Sequence, residues 1–179
     1  MKKVLLTMVV ALMSTVNVSA QLKSRYDTEN YKRGVELVEE GKLDEGVKLL
    51  EAELKEHPKN PFTNFFITTV YLKLEQYDKA MASVDKALKY LPKRHREVRG
   101  FAYALKATIY CYSKKWKEAA EQLTLSLSVF PEEEYEHRAV AHRQRGEIYY
   151  SMKLDELGEQ DFKKAEELKA LARTKQKKG

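Results

Sequence analysis

The sequence predicts an all-helical solenoid of about four antiparallel helix pairs. Two observations predict it: a unit of about 34 residues recurs in tandem, and Pro58, Pro92 and Pro131 close successive units at the same place. Repeats of this length are typical of helical solenoids, in which neighbouring hairpins stack to bury a shared core. The sequence lacks alternating strand-like runs bounded by turn residues, which argues against a β-sheet.

Each predicted helix pair carries small and large residues at fixed places when the closing proline is counted as place 32. Small residues at places 8 and 20 let two antiparallel helices approach closely, and large residues at places 11 and 24 fill the space between pairs. Proline then ends the second helix because it has no N–H with which to continue it. In chain order, place 8 is Gly34, Thr68, Ala107 and Gly146; place 20 is Gly46, Ala80, Ala119 and Gly158; place 11 is Leu37, Tyr71, Tyr110 and Tyr149; and place 24 is Leu50, Val84, Leu123 and Phe162.

The predicted helical domain covers residues 21–172, with repeats at about 27–60, 61–92, 93–131 and 132–172. The last repeat lacks a closing proline, and it has Asp155 where the earlier repeats have Leu43, Tyr77 or Trp116. Terminal repeats are commonly atypical because one of their faces meets water. We therefore predict a capping helix over residues 156–172, followed by a basic tail at 173–179.

The first twenty residues are typical of a secretory signal peptide. Lys2 and Lys3 precede a short apolar run, and small residues lead to a predicted cleavage site after Ala20. The alternative is an uncleaved anchor, but a membrane-spanning helix needs about 20 apolar residues and this run is shorter. We expect an exported protein, periplasmic or secreted, of bacterial type.

The repeat period lengthens in the second half of the chain. Successive place-8 residues are separated by 34, 39 and 39 residues, and the additions fall in a basic segment at 93–98 and an acidic segment at 132–138. Both additions are expected to lengthen the first helix of their repeat by more than one turn. We hypothesise that the two segments pair electrostatically; the alternatives are two solvated faces, or contact of Arg94 and Arg96 with an anionic partner.

These residues resemble the tetratricopeptide repeat family over nearly all of the chain after the predicted signal peptide. The matching positions are strongest in two repeats: Tyr71, Tyr77, Ala80, Ala87 and Pro92 in one, and Ala107, Tyr110, Trp116, Ala119 and Pro131 in the next. Leu37 and Glu53 depart from the family pattern, which usually has an aromatic residue and an alanine at those places. The resemblance implies a right-handed solenoid that binds segments of other proteins.

Such solenoids bind their partners on a concave side that is lined by the first helix of each repeat. Carried over by position, the predicted groove residues are Tyr31, Phe62, Phe65, Thr69, Leu72, Phe101, Thr108, Tyr112, Arg143 and Tyr150. This aromatic surface would suit an amphipathic helix or an extended apolar segment. The alternative is that aromatic residues at helical spacing, including Phe62, Phe65 and Phe101, are buried core.

The sequence carries no signature of catalysis. It has neither a phosphate-binding glycine loop nor a nucleophile motif, and Cys111, the only cysteine, is expected to be an apolar helix residue or, alternatively, a thiol that pairs with another chain. His137 and His142 are five residues apart and are expected to be exposed polar residues rather than metal ligands. We therefore predict no enzymatic activity, no cofactor and no metal.

The predicted function is that of an adaptor or scaffold in the cell envelope, with an unidentified protein partner. A net charge of +6 is a mild excess, and no nucleic-acid motif accompanies the basic tail, so we expect no nucleic-acid partner and at most peripheral membrane contact. The alternative is a self-associating structural protein, a homo-oligomer in which the apolar surface or the end helix contacts a second copy.

Overall fold

The computed structural model describes residues 28–176, and within them the chain is entirely helical, with eight helices and no strand. This confirms the predicted fold class. The predicted signal peptide lies outside the described residues. The helices are α1 Glu29–Glu39, α2 Leu43–Glu56, α3 Pro61–Lys73, α4 Tyr77–Tyr90, α5 Arg96–Tyr112, α6 Trp116–Val129, α7 Tyr135–Ser151 and α8 Asp155–Gln176.

The described chain divides between Pro92 and Lys93 into two compact units. The first unit holds the helix pairs α1–α2 and α3–α4, and the second holds α5–α6 and α7–α8. Pro58, Pro92 and Pro131 each follow the last residue of a second helix by two positions, as the sequence predicted. None of the described helices combines the length and the apolarity needed to cross a bilayer.

The small residues at places 8 and 20 face each other across the helix pairs. A Cβ atom built on Gly46 would lie 2.9 Å from the carbonyl oxygen of Gly34, and one on Gly158 would lie 3.2 Å from that of Gly146. The corresponding Thr68, Ala80, Ala107 and Ala119 of the two middle pairs are buried. The predicted close approach of paired helices is confirmed.

The same turn joins the two helices of all four pairs. Gly41, Glu75, Lys114 and Lys153 follow the first helix of their respective pairs, and all four have left-handed backbone, with φ between 55° and 84°. In each turn, two amides bond back to carbonyls of the last helical turn, as in Lys114 N–H to Cys111 C=O at 3.0 Å and Lys115 N–H to Tyr110 C=O at 2.9 Å. This is the Schellman pattern, which satisfies carbonyls that the helix end leaves free.

The two additions in the repeat period lengthen helices, as predicted. Helices α5 and α7 have 17 residues each, whereas α1 has 11 and α3 has 13. The first residues of each addition form the turn before the helix, so about one helical turn is gained. The last helix ends at Gln176, four residues beyond the predicted capping helix, so the beginning of the predicted tail is helical.

Candidate functional site

Most of the predicted groove residues are buried, which corrects the expectation of an open aromatic groove. Helix α3 is enclosed on nearly every side, with eleven of its thirteen residues buried. The buried members of the predicted set are Phe62, Phe65, Thr69, Leu72, Phe101 and Thr108. These side chains therefore do not offer an open surface to a partner.

The physical reason is clearest at Phe101 and Thr108. The ring of Phe101 lies edge-on to Phe130 at 5.1 Å and to His137 at 4.7 Å, so it joins α5 to the end of α6 and the beginning of α7. The Thr108 hydroxyl donates to the carbonyl of Ala104 at 3.1 Å, within its own helix. Phe101 is thus a core residue of the second unit, in line with the buried-core alternative.

Four predicted groove residues keep accessible surface. Tyr31 of the first unit is half-buried, with its ring edge-on to Phe66 at 6.4 Å. In the second unit, Tyr112 and Arg143 are half-buried and Tyr150 is exposed. The surface that is open to a partner is therefore smaller and more polar than the sequence predicted.

We call Cys111, Tyr112, Arg143, Glu147 and Tyr150 the α5–α7 face, since all five lie on the C-terminal halves of these two helices. Arg143 Nε lies 3.4 Å from Glu147 Oε1, with 43% and 29% of the two side chains exposed. Burial raises the pKa of the Cys111 thiol to about 12, and the nearby carboxylate of Glu147 adds to the rise. Cys111 also packs against a core cluster that includes Ala107 of α5 and Ile148 of α7, so the two helices contribute to one core at this face.

Tyr150 is held at one edge of the α5–α7 face. Its hydroxyl donates to Glu159 Oε1 at 2.9 Å, and its ring stacks on Phe162 at 5.4 Å. The hydrogen bond to Glu159, followed by burial, raises the pKa of this phenol. Tyr150 therefore offers a fixed aromatic surface, which would lose little side-chain entropy on binding.

His137 and His142 are not the exposed polar residues that the sequence predicted. His137 and His142 have only 11% and 13% of their side chains exposed. His142 Nδ1 lies 2.7 Å from Asp161 Oδ1, where Arg145 also donates two hydrogen bonds to the same carboxylate. Pairing of α7 with α8 encloses these groups, and residues 16 to 19 apart in sequence give no pattern that predicts the contact.

The hypothesis that the two charged additions pair with each other needs correction at Arg96. Its guanidinium donates to the backbone carbonyls of Val129 and Phe130, at 3.1 and 3.3 Å, which lie at the end of α6. Arg96 thus caps a helix C-terminus, where a positive charge is favourable. The two additions do meet, but at Glu97 and His137, whose Oε1 and Nδ1 atoms are 3.8 Å apart.

The fold is that of a helical-repeat protein, and the tetratricopeptide repeat family matches residues 37–109. This stretch therefore carries tetratricopeptide repeats. The family is generally non-enzymatic, and no catalytic family is indicated. Among curated proteins there is no significant match.

Solved structures of MamA share the fold. The structure described as MamA MSR-1 C2 is 24% identical, with a TM-score of 0.67 over 92% of this chain and 86% of that one. The MamA RS-1 ArsTM double mutant is 18% identical, with a TM-score of 0.70 over 96% of both chains. MamA 41-end from Desulfovibrio magneticus RS-1 is 18% identical, with a TM-score of 0.64 over 94% of this chain and 95% of that one. At these identities the likeness is one of fold.

Proposed function

We propose that this protein is a protein–protein interaction scaffold of the cell envelope and that its second unit binds a partner segment on the α5–α7 face. The single observation that carries the proposal is that this face keeps accessible aromatic and charged side chains, whereas Tyr31 is the one other predicted groove residue that is not buried. Aromatic residues and arginine are enriched among residues that dominate binding energy at interfaces.

The chemistry of the face favours a segment with both apolar and polar groups. Tyr112 and Tyr150 offer aromatic surface, whereas Arg143 and Glu147 offer charges of opposite sign. Because each charge is already paired on the protein, a partner would gain orientation from these groups more than affinity. The aromatic residues would supply most of the binding energy.

Site-specific photo-crosslinking in cells tests this face. A photoreactive residue in place of Tyr112 should capture a discrete protein, and the same residue in place of Lys163, an exposed position on α8, should not. Arg143→Ala, combined with the photoreactive residue at position 112, should reduce the yield of crosslinked partner. Equal capture from both positions, or a yield that Arg143→Ala leaves unchanged, would reject the face as the binding site.

The location in the cell envelope rests on the N-terminal sequence. Fractionation of cells that express the full chain should recover the protein outside the cytoplasm, with Gln21 as the first residue of the processed form. A cytoplasmic protein that retains Met1 would remove this part of the proposal and leave the interaction face untouched.

Self-association is a second candidate, which the surface of the last helix pair favours. Leu157 and Leu171 of α8 are 42% and 47% exposed, and Leu154 just before it is 40% exposed. A second copy that covered these leucines would bury apolar surface. Sedimentation velocity should then show a dimer that Leu157→Ser and Leu171→Ser together dissociate, whereas a monomer at every concentration would exclude this candidate.

A further inference from the structure

Three ionisable side chains converge where the two additions to the repeat period meet. Glu97 lies in the first turn of α5, Glu134 is the residue before α7, and His137 lies in the first turn of α7. One donor atom from each of the three lies within 4.8 Å of the other two. All three residues belong to the segments 93–98 and 132–138, so the additions that lengthen these helices also create this cluster.

The imidazole of His137 is held in place by aromatic contacts. Phe101 lies edge-on to it at 4.7 Å, and Phe130 is stacked near it at 5.9 Å. Phe101 and Phe130 are buried, and the ring they hold is 11% exposed. The position of the ring, and with it the direction of Nδ1, is therefore set by the core of the unit before any ligand binds.

The Nδ1 atom of His137 is buried and forms no hydrogen bond. Glu134 Oε2 lies 3.0 Å from it and Glu97 Oε1 lies 3.8 Å from it. Glu134 Oε2 is within hydrogen-bond distance of Nδ1 but forms no hydrogen bond with it, so this oxygen lies off the direction in which Nδ1 donates or accepts a hydrogen bond. Ligands of one ion have this arrangement, because the ion and not the neighbouring ligand occupies the axis of the nitrogen lone pair.

The two carboxylates also lack a neutralising cation from the basic addition. The Glu97 and Glu134 side chains are 25% and 34% exposed, and each contributes a carboxylate oxygen to the cluster. Arg96, the nearest basic residue in sequence, directs its guanidinium to the carbonyls of Val129 and Phe130. A positively charged ligand would therefore be stabilised between the carboxylates.

We propose that Glu97, Glu134 and His137 form a binding site for a divalent transition-metal ion, with Zn²⁺ as the ion that suits this donor set best. One imidazole nitrogen and two carboxylate oxygens are donors that Zn²⁺ accepts at 2.0–2.2 Å. In a tetrahedral site with such bonds, neighbouring donors are roughly 3.3 Å apart. The two carboxylate oxygens lie 3.0 and 3.8 Å from Nδ1, on either side of this value, and the donor atoms of the cluster are all within 4.8 Å of one another. An ion would draw the carboxylates into its coordination sphere.

A cavity lies beside the Glu134 and His137 side of the cluster. The cavity has a volume of about 230 Å³, and two of the three proposed ligands line it. Its full lining is Glu133, Glu134, Tyr135, Glu136, His137, Ala172 and Lys175. Three protein ligands leave at least one coordination position for water. A bound ion would join the beginnings of α5 and α7 and so hold the third and fourth helix pairs at one angle.

Calorimetric titration of the full chain with ZnCl₂ tests the site. The protein is purified without a histidine tag, treated with a chelator and dialysed, and MgCl₂ serves as the comparison ion. We expect one Zn²⁺ per chain and no comparable heat from Mg²⁺. Glu97→Gln should weaken Zn²⁺ binding by at least about tenfold, since even residues that only orient metal ligands produce losses of that size. Glu132→Gln removes an equal charge from the same acidic addition at an exposed residue that does not line the cavity, and it should leave binding unchanged.

A second measurement checks that the variants keep their helical structure. Glu97→Gln preserves the side-chain volume, and circular dichroism should show unchanged helix content; His137→Gln should give the same loss of binding if it folds. Co²⁺ in place of Zn²⁺ should give visible absorption that Glu97→Gln abolishes. Absence of Zn²⁺ binding, or equal binding by the wild type and Glu97→Gln, would overturn the proposal. An equal loss in Glu132→Gln would also overturn it, because the ion would then depend on the acidic turn as a whole.

Discussion

The amide of Lys115 donates a 2.9 Å hydrogen bond to the carbonyl of Tyr110, and this bond closes the hairpin between α5 and α6. It requires the residue before Lys115 to be left-handed, and Lys114 has φ of 55°. A left-handed backbone costs about 1–2 kcal/mol for a residue with a Cβ atom. The hairpin between α1 and α2 has Gly41 at the same place, with φ of 84°.

Lys114→Gly is expected to stabilise the protein. It removes the steric cost of the left-handed backbone, and the greater chain entropy of glycine in the unfolded state offsets part of this gain. We expect the free energy of unfolding to rise by about 0.5–1 kcal/mol, measured by urea denaturation. Gly41→Ala is the reciprocal test: a Cβ there would have no atom within 4 Å, so its loss of about 1 kcal/mol would be due to the backbone alone. Destabilisation by Lys114→Gly would contradict this explanation of the turn.

Gly46→Ala is expected to destabilise the first unit although alanine favours helix. A Cβ at this position would lie 2.5 Å from Val38 Cγ2 and 2.9 Å from the backbone oxygen of Gly34, so α1 and α2 would have to separate. Overpacking of this kind costs about 1–3 kcal/mol, which exceeds the gain of up to about 1 kcal/mol in helix propensity. Thermal and urea unfolding should show the net loss.

Ala82 supplies the control for the Gly46 experiment. It is exposed on α4, so Ala82→Gly changes helix propensity without changing any close contact. That variant should lose about 1 kcal/mol. If Gly46→Ala instead raised stability by a similar amount, the close approach of α1 and α2 would not be the reason for glycine at this place.

Glu53→Ala is expected to cost about 2–4 kcal/mol even though it restores the residue that tetratricopeptide repeats usually have. The buried Glu53 carboxylate accepts hydrogen bonds from the Thr28 hydroxyl and from Asn60 Nδ2, at 2.5 and 3.1 Å. Asn60 in turn caps α3 through the amides of Phe62 and Thr63. Alanine would leave buried polar groups without partners, each at a cost of about 1–3 kcal/mol.

The smaller change Glu53→Gln isolates the hydrogen bonds. Glutamine keeps an oxygen for Asn60 and gains an N–H₂ group that can donate to the Thr28 hydroxyl, so we expect a loss of about 1 kcal/mol or less by urea denaturation. Equal losses for glutamine and alanine would mean that the negative charge, and not the hydrogen bonds, stabilises this junction.

The repeat pattern predicted the helix pairs because it reports the distance between two helices. Gly46 at place 20 can have no side chain where α1 meets α2, and that requirement is visible in the sequence. The pattern could not predict that Phe101 is buried. The position of Phe101 in the repeat does not indicate which residue packs against its ring, and that residue is His137, which belongs to the acidic addition. Glu53 did give a signal, as a departure from the usual alanine, but its partners are set by the packing of the α1–α2 and α3–α4 pairs.

Asp161→Asn is expected to destabilise the second unit in a pH-dependent manner. Asp161 is 5% exposed and accepts hydrogen bonds from Arg145 at 2.7 and 2.8 Å. Burial alone would raise the pKa of its carboxyl, but the bonds from Arg145 and His142 outweigh burial and lower the pKa below its usual value. Removal of this charge leaves Arg145, which is 17% exposed, without its ion-pair partner, and for a fully buried pair such a loss costs about 3–5 kcal/mol, which is the upper limit expected here.

The sign of the pH dependence follows from the lowered pKa of Asp161. The unfolded-state pKa is about 3.9, so the stabilisation is fully present above about pH 5 and is lost as pH falls through the lower pKa of the folded state. Urea denaturation at pH 7 and at pH 3 should therefore show a large gap between the wild type and Asp161→Asn at pH 7 and a smaller one at pH 3. Glu121→Gln, which removes an exposed carboxylate of α6, should stay within about 0.5 kcal/mol at pH 7. A gap of the same size at both pH values would mean that the shape of the side chain, and not its charge, stabilises the α7–α8 pair.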